Sequence, residues 1–208
     1  MTPQDKETIL RLLAQHRIMT VATVRPDGWP QATTIGYASE GLLLYFLCSK
    51  QSQKAANIVA DNRISLVVDH DTSDPMGMEG LSLAARAYAI SDPAEEARVV
   101  ELMVAKFPEY RSLTRPDLAG VQLFMVVPEV ISVLDYRKGF GHSDLVTVTE
   151  ADRGQARGAH RPPSAAAPSR EDFQLAAPPR AEIPQPASAA SPPVAPAAGA
   201  LSLCRMRW

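Results

Sequence analysis

The chain has 208 residues, of which 46% are apolar and 21% charged, and its formal net charge is -2 at pH 7. This length allows one domain with a hydrophobic core, and the near-neutral charge does not favour nucleic-acid or anionic-membrane partners. With only two cysteines, a disulfide framework is not expected. The sequence has no apolar run of membrane-spanning length and lacks the layout of a signal peptide at its start, so we expect a cytoplasmic protein.

Composition changes near residue 150. The last 58 residues hold 10 of the 18 prolines and many alanines. Such a segment buries too little apolar surface to offset the entropy lost on ordering. We therefore predict a folded domain over residues 1–149 and a Pro/Ala-rich disordered tail over residues 150–208.

The folded part begins with a predicted helix and hairpin. Thr2 is suited to cap the helix, Pro3 to its first position, and Asp5 lies at capping-box spacing. The β-branched run at 17–24, the turn sequence RPDG and the run at 29–37 then predict two paired strands.

The middle of the chain alternates extended and helical patterns. The run LLLYFLC at 42–48 is apolar on both faces, which predicts a central strand. Helical spacing follows at 49–62, capped by Ser49 or Ser52, and a second helix is predicted from Asp92. The remaining extended runs lie at 64–69, 81–90, 121–128 and 130–136. Short strands with two or three inserted helices predict a mainly β, α+β antiparallel barrel.

The search for catalytic or metal motifs finds little. The sequence contains no HExxH, CxxC, GxSxG or Walker pattern. The four histidines are far apart, and only His70, between Asp69 and Asp71, has a local ligand-like setting, for which a solvated loop is the favoured interpretation. We therefore predict no metal site and no catalytic side chain.

The segment FLCSKQSQKAANI at 46–58 carries the most chemical information. An apolar strand ends there in small polar side chains and runs into a helix start with two lysines. Backbone N–H groups, hydroxyls and an ammonium together form a cradle for an anion. A capped surface helix without a ligand is the alternative.

The order of these motifs resembles the pyridoxamine 5'-phosphate oxidase-like, FMN-binding split-barrel family. The likeness covers about residues 5–149 and rests on a strand, a DG turn, a strand ending in S-x-x-S-x-K, a helix with N-I, and an N-R-[IV]-S-L strand. It implies a six-stranded antiparallel split β-barrel with two or three peripheral helices. It also implies a homodimer that binds FMN in two clefts between its subunits.

The resemblance also implies a set of cofactor-binding residues. Carried over by position, the residues around the flavin phosphate are Cys48, Ser49, Ser52 and Lys54. Along the isoalloxazine or ribityl chain they are Gln31, Thr33 and Thr34. Each of these is otherwise an ordinary strand-surface or cap residue.

Departures from the family pattern limit the expected function. The second strand lacks the arginine and lysine of authentic oxidases, and the tail does not match their substrate-binding region, so we do not expect pyridoxamine 5'-phosphate oxidation. The resemblance implies an FMN-dependent oxidoreductase with an unknown small-molecule substrate or electron donor, in which FMN supplies the electron chemistry.

Three alternatives stay open. One is a non-enzymatic flavin-binding or storage module, and the others are relatives that bind a deazaflavin or haem, with His70 or His142 as the haem ligand. The run around Phe140, at 137–142, is interpreted either as a mobile cationic flap over the dimer cleft or as an exposed loop.

Overall fold

The computed structural model describes residues 1–112 and 119–153. Most of the predicted tail lies outside the described residues, and its disorder stays a prediction. The beginning of that segment is described: Glu150–Arg153 form a short helix. The Asp152 carboxylate lies 3.1 Å from the amino group of Met1, so the ordered chain extends past the predicted boundary at residue 149.

The helices before that segment are α1 (Pro3–Gln15), α2 (Gln53–Ala60) and α3 (Pro93–Lys106). The strands are β1 (Ile18–Val24), β2 (Pro30–Gly36), β3 (Ala38–Glu40), β4 (Leu43–Ser49), β5 (Arg63–Val68), β6 (Glu79–Ala89), β7 (Val121–Asp135) and β8 (Ser143–Thr147). Short 3-10 turns occupy Pro75–Gly77, Pro108–Ser112 and Tyr136–Lys138.

The local signals in the sequence account for the element ends. The Thr2 hydroxyl accepts from the Asp5 backbone N–H at 3.1 Å, and the Asp5 carboxylate accepts in return, which completes the predicted capping box. Gly28 has a φ of 82°, a value that favours glycine, in the turn between β1 and β2. Asp92 caps α3 as predicted, with its carboxylate accepting from the Glu95 N–H at 3.1 Å.

All strand pairs are antiparallel. The strands follow the order β2-β1-β5-β6-β7-β4-β3, and β8 pairs with β7 off this path. This confirms the mainly β split-barrel class, but the described sheet has eight strands rather than six. Residues 38–40 pair with β4, and the predicted flap or loop continues into β8, whose Val146 is buried.

The two extended runs at the end of the domain form one strand. β7 is 15 residues long and includes Pro128, which cannot donate a backbone hydrogen bond. Its register with β6 shifts between Ala84 and Ala85, and Ala85 pairs with Pro128. A bulge at this point lets the strand continue through a proline.

Apolar side chains form two layers on the sheet. One cluster fills the concave side and includes Ile9, Leu12 and Leu13 of α1. A second cluster packs α3 against the other face of β4 and β7. β4 is therefore buried on both faces, as its apolar sequence predicts. Among the described helices, none has the length and apolar content needed to cross a membrane.

Candidate functional site

The start of α2 is capped from its own loop. The Ser52 hydroxyl accepts from the Ala55 backbone N–H at 3.3 Å and lies 3.5 Å from the Cys48 sulfur. Cys48 is 8% exposed near the end of β4. Ser52 thus fixes the turn from β4 into α2, and its predicted contact with a phosphate stays a prediction.

Donors remain available at this helix start. The first backbone N–H groups of a helix, here those of Gln53 and Lys54, have no intrahelical acceptor. The half-buried Lys54 ammonium makes no hydrogen bond or ion pair within residues 1–112 and 119–153. The nearby Lys50 ammonium, by contrast, donates to the Ala119 carbonyl at 3.1 Å. Ser49 is exposed, and its hydroxyl accepts from the backbone N–H of Gln51 at 3.2 Å.

The predicted residues of β2 divide between the two faces of the strand. Gln31 pairs with the buried Thr23 and Thr33 with the buried Val21, so these two side chains point to the concave side. Thr34 points to the opposite face and is exposed. Gln31 and Thr33 can therefore line one ligand from the same side of the strand, whereas Thr34 cannot join them there.

A buried amide joins β2 to α2. Asn57 is fully buried, and its Nδ2 donates to Thr23 Oγ1 at 2.9 Å and to Gln31 Oε1 at 3.1 Å. Its Oδ1 accepts from Gln53 Nε2 at 2.9 Å. These bonds bring Gln31 next to the helix that carries Lys54.

One polar atom beside this cluster has no partner. The Thr33 hydroxyl is buried and makes no hydrogen bond within the described part of the chain. A buried hydroxyl without a partner is costly. A ligand group at the edge of β2 would satisfy it, so this atom fits a bound molecule with hydrogen-bonding groups.

The sequence analysis did not assign Asn57, Thr23 or Gln53 to the site. The signal for Asn57 was present, because it is a polar residue at a helix position flanked by the buried Ala55 and Ile58, within the N-I pair of the motif. Two of its three hydrogen-bond partners, Thr23 and Gln31, lie on β1 and β2, and the sequence of the helix alone does not reveal them.

Of the four histidines, the structure describes His16, His70 and His142, and none of these three bonds to the β4–α2 corner in the described residues. The His70 ring stacks on the His16 ring with centroids 5.1 Å apart, and burial, followed by the charge of His70, lowers the pKa of His16. His142 Nε2 lies 3.1 Å from Asp144 Oδ2. The described residues contain no group of three or more His, Cys, Asp or Glu side chains able to hold a metal ion.

The predicted cationic flap is largely neutralised by carboxylates. The Arg137 guanidinium lies 2.8 Å from Asp135 and 2.9 Å from Glu79. The Lys138 ammonium lies 2.8 Å from Asp144. The segment contains a 3-10 turn and leads into β8, and a role as a flap over a dimer cleft stays a prediction.

Solved structures of low sequence identity share this fold. A heme binding protein from Mycobacterium smegmatis matches with a TM-score of 0.60 and 19% identity, over 71% of this chain and 59% of its own. The chain therefore spans less than two thirds of that protein. A putative pyridoxamine 5'-phosphate oxidase from Listeria innocua matches with a TM-score of 0.53 and 22% identity, over 62% of this chain and 98% of its own. The heme storage protein HutZ from Vibrio cholerae matches with a TM-score of 0.50 and 18% identity, over 60% of this chain and 89% of its own.

Comparison with curated proteins found no match. The sequence profile of the family described as pyridoxamine 5'-phosphate oxidase matches residues 5–135, which is more than half of the chain and includes most of α1, the β4–α2 corner and nearly all of the sheet. The chain therefore belongs to the pyridoxamine 5'-phosphate oxidase family.

Proposed function

We propose that the chain binds FMN at the junction of β2, β4 and α2 and acts as an FMN-dependent oxidoreductase. The observation that carries this proposal is the Lys54 ammonium, which has no partner within residues 1–112 and 119–153, beside the backbone N–H groups that begin α2. A phosphate carries a charge of about -1.5 to -2 at neutral pH. A lysine and the positive end of a helix dipole offset much of that charge.

The neighbouring strand suits the uncharged part of the same ligand. Gln31 and Thr33 lie on the concave side of β2, and Asn57 holds Gln31 against α2. Amides and hydroxyls of this kind do not ionise in the physiological range, so they bind and orient a ligand without taking its protons. When bound, FMN supplies the electron-transfer chemistry, and the chain supplies position and charge.

The test is FMN binding by the purified full-length protein and its Lys54→Ala variant. We expect the wild-type protein to retain flavin absorption after incubation with FMN and desalting. Loss of a hydrogen bond to a charged group costs about 1.5 to 3 kcal/mol, so Lys54→Ala should weaken FMN binding about 10- to 100-fold. Lys50→Ala is the matched control, because the Ala119 carbonyl already engages that ammonium, and its affinity should stay near that of the wild type.

Two outcomes would overturn the FMN proposal. A wild-type protein that retains no flavin contradicts it outright. Equal losses in the two lysine variants would show that the phosphate responds to general positive charge rather than to Lys54. Oxidation of a nicotinamide donor through bound FMN would then separate an oxidoreductase from a module that only stores the flavin.

Haem is the second candidate, and the surface around His142 favours it. Phe140 is 81% exposed and Leu145 is 76% exposed, on either side of His142 in the chain. A histidine is one of the side chains that ligate haem iron, and apolar side chains beside it can contact the porphyrin. Haem binding through Nε2 would displace the contact of His142 with Asp144. Titration with haemin should then give a shifted Soret band in the wild-type protein and in His70→Ala, and a weaker one in His142→Ala. A spectrum identical to that of free haemin removes this candidate.

We also propose that the protein is a homodimer. The family resemblance motivates this proposal, and the convex face of β1, β2 and β5 supports it. Its central side chains are small or weakly polar, namely Thr20, Ala22, Ala32, Thr34, Ser65 and Val67, and the larger Ile18 and Arg63 lie toward its ends. Small side chains at the centre of a face allow a second copy of the same face to approach closely.

A further inference from the structure

The hydrogen bonds around Asn57 have a defined direction. A backbone carbonyl can only accept, so the Thr23 hydroxyl donates its single proton to the Gln31 carbonyl, 3.5 Å away. The same hydroxyl must then accept from Asn57, which places the Nδ2 donor of Asn57 on this side. Because Nδ2 also faces Gln31, the Gln31 side chain must turn its oxygen toward Asn57.

This arrangement leaves the other end of the Gln31 amide free. Gln31 Nε2 has two N–H donors, and it makes no hydrogen bond within residues 1–112 and 119–153. Gln31 is half-buried on β2, which pairs only with β1 and forms one end of the strand order. Gln31 Nε2 and the Thr33 hydroxyl, which also has no partner in the described residues, therefore lie on the same side of this end strand.

We propose that Asn57 is a positioning residue that orients Gln31 so that Gln31 donates an amide N–H to the bound cofactor. This inference rests on the proposed binding of FMN at this corner. The ligand group it selects is a hydrogen-bond acceptor, such as a ring carbonyl or an unprotonated ring nitrogen. Asn57 itself is fully buried and acts only through its neighbour.

The chemistry of the position explains why an amide is needed there. Asn57 lies between Ala55 and Ile58 on the buried side of α2, where an apolar residue would be the ordinary choice. Burial of an amide is tolerated only when its donors and acceptor are satisfied. Asn57 uses both N–H donors and its oxygen, and in doing so it fixes the direction of the amide on β2.

A mutant cycle tests this coupling. FMN dissociation constants would be measured by quenching of flavin fluorescence for the wild type, Gln31→Met, Asn57→Ala and the double variant. Loss of one neutral hydrogen bond predicts about 2- to 12-fold weaker binding for each single variant. Because Asn57 acts through Gln31, the double variant should bind no more weakly than Gln31→Met alone.

Ile58→Val is the matched control. It removes one methylene from the same buried face of α2 without touching the amide cluster, so it should lower the melting temperature and leave FMN affinity unchanged. Gln31→Met tests the donated hydrogen bond even if Asn57→Ala does not fold, because residue 31 lies half-exposed on an edge strand.

The outcomes separate this inference from the proposed function. Unchanged affinity in Gln31→Met, together with weakened affinity in Lys54→Ala, overturns the inference and leaves FMN binding in place. Additive losses in the double variant show that Asn57 acts through the fold rather than through Gln31, and they also overturn it. A wild-type protein that binds no FMN overturns both proposals.

Discussion

Lys106, the last residue of α3, is a half-buried cation whose charge opposes the burial of its side chain. Its ammonium donates to the Leu13 carbonyl at 3.0 Å and lies 3.8 Å from the centroid of the Tyr37 ring. Burial, followed by the charge of Arg17, lowers the pKa of Lys106 to about 8 from its ordinary value of 10.5. The hydrogen bond and the ring therefore offset only part of the cost of removing the charge from water.

This pKa shift predicts a pH-dependent stability. Below a pH of about 8, Lys106 is charged in both the folded and unfolded states, and the full penalty is present. Between about 8 and 10.5, the folded state loses its proton first, so the free energy of unfolding gains from this group as pH rises. Allowing for solvent screening of a half-buried group, we expect a gain of about 1 to 2 kcal/mol relative to Lys106→Met.

The control is Lys106→Arg, because arginine stays charged throughout this range. Burial raises the pKa of the Tyr37 hydroxyl from its ordinary value of 10.0, so this hydroxyl ionises first in the unfolded state and lowers stability above about pH 10. This effect is common to the three proteins and cancels when they are compared at the same pH. Denaturant unfolding of the three proteins between pH 7 and pH 11 would be compared. The advantage of the wild type over Lys106→Arg should grow with pH, and a constant difference would show that the Lys106 charge is not penalised in the fold.

The strand β7 carries an ion pair at its bulge. Its register with β6 passes from Ala84 and Val130 to Ala85 and Pro128, so Glu129 is the extra residue. The Glu129 carboxylate lies 2.8 Å from Arg86 Nε, with side chains 21% and 24% exposed. The bulge therefore directs a carboxylate onto a partly desolvated guanidinium of the neighbouring strand.

Removal of the Glu129 carboxylate should reveal how much the partly buried Arg86 charge destabilises the fold when it is unpaired. Glu129→Ala leaves the Arg86 charge without its carboxylate, and we expect a loss of about 1 to 3 kcal/mol in the free energy of unfolding. In an Arg86→Met background the same substitution should cost clearly less, because the charge is gone. Glu101→Ala, at an exposed position on α3, is the control and should change stability little. Equal costs in both backgrounds would show that the two side chains do not interact.

At the scale of the elements, the sequence predicts what local chemistry specifies. The capping box at Thr2, the Asp92 cap and the glycine turn at Gly28 each need only neighbours in the chain, and each is present. The sequence is less informative where pairing is non-local. Pro128 suggests a strand end, but a bulge that depends on β6 carries the strand past it.

The residues of the candidate site also fall into two groups: those that local sequence predicts and those whose positions depend on non-local pairing. The corner from Cys48 to Lys54 is contiguous, so its sequence predicts a serine cap, which the structure assigns to Ser52. The contact of these residues with a cofactor stays a prediction. Strand alternation separates Thr34 from Gln31, and only the register of β1 with β2 shows which of them points to the concave side. The partners of Asn57 come from two other strands, and their positions require the assembled sheet.

At the scale of the whole molecule, the two faces of the sheet differ in what covers them. α3 packs on the outer face of β4 and β7. The convex face of β1, β2 and β5 carries small side chains, with Val67 37% exposed and Ile18 54% exposed. Ala22 lies near the centre of this face, because it pairs with Ala32 on one side and with Ser65 on the other.

A large charged side chain at that centre should separate the proposed dimer. We expect light scattering to give the mass of two chains for the wild type and of one chain for Ala22→Arg, because a guanidinium buried without a partner at the interface is unfavourable. Ala97→Arg, on the exposed side of α3, is the matched control and should remain a dimer, and circular dichroism would check that both variants are folded.

If FMN binds between the two copies, Ala22→Arg should also lose flavin affinity, whereas a folded monomer that binds FMN as tightly as the wild type would place the whole site within one chain. A wild-type protein that scatters as a single chain contradicts the dimer, and a dimeric Ala22→Arg protein would assign the contact to another face.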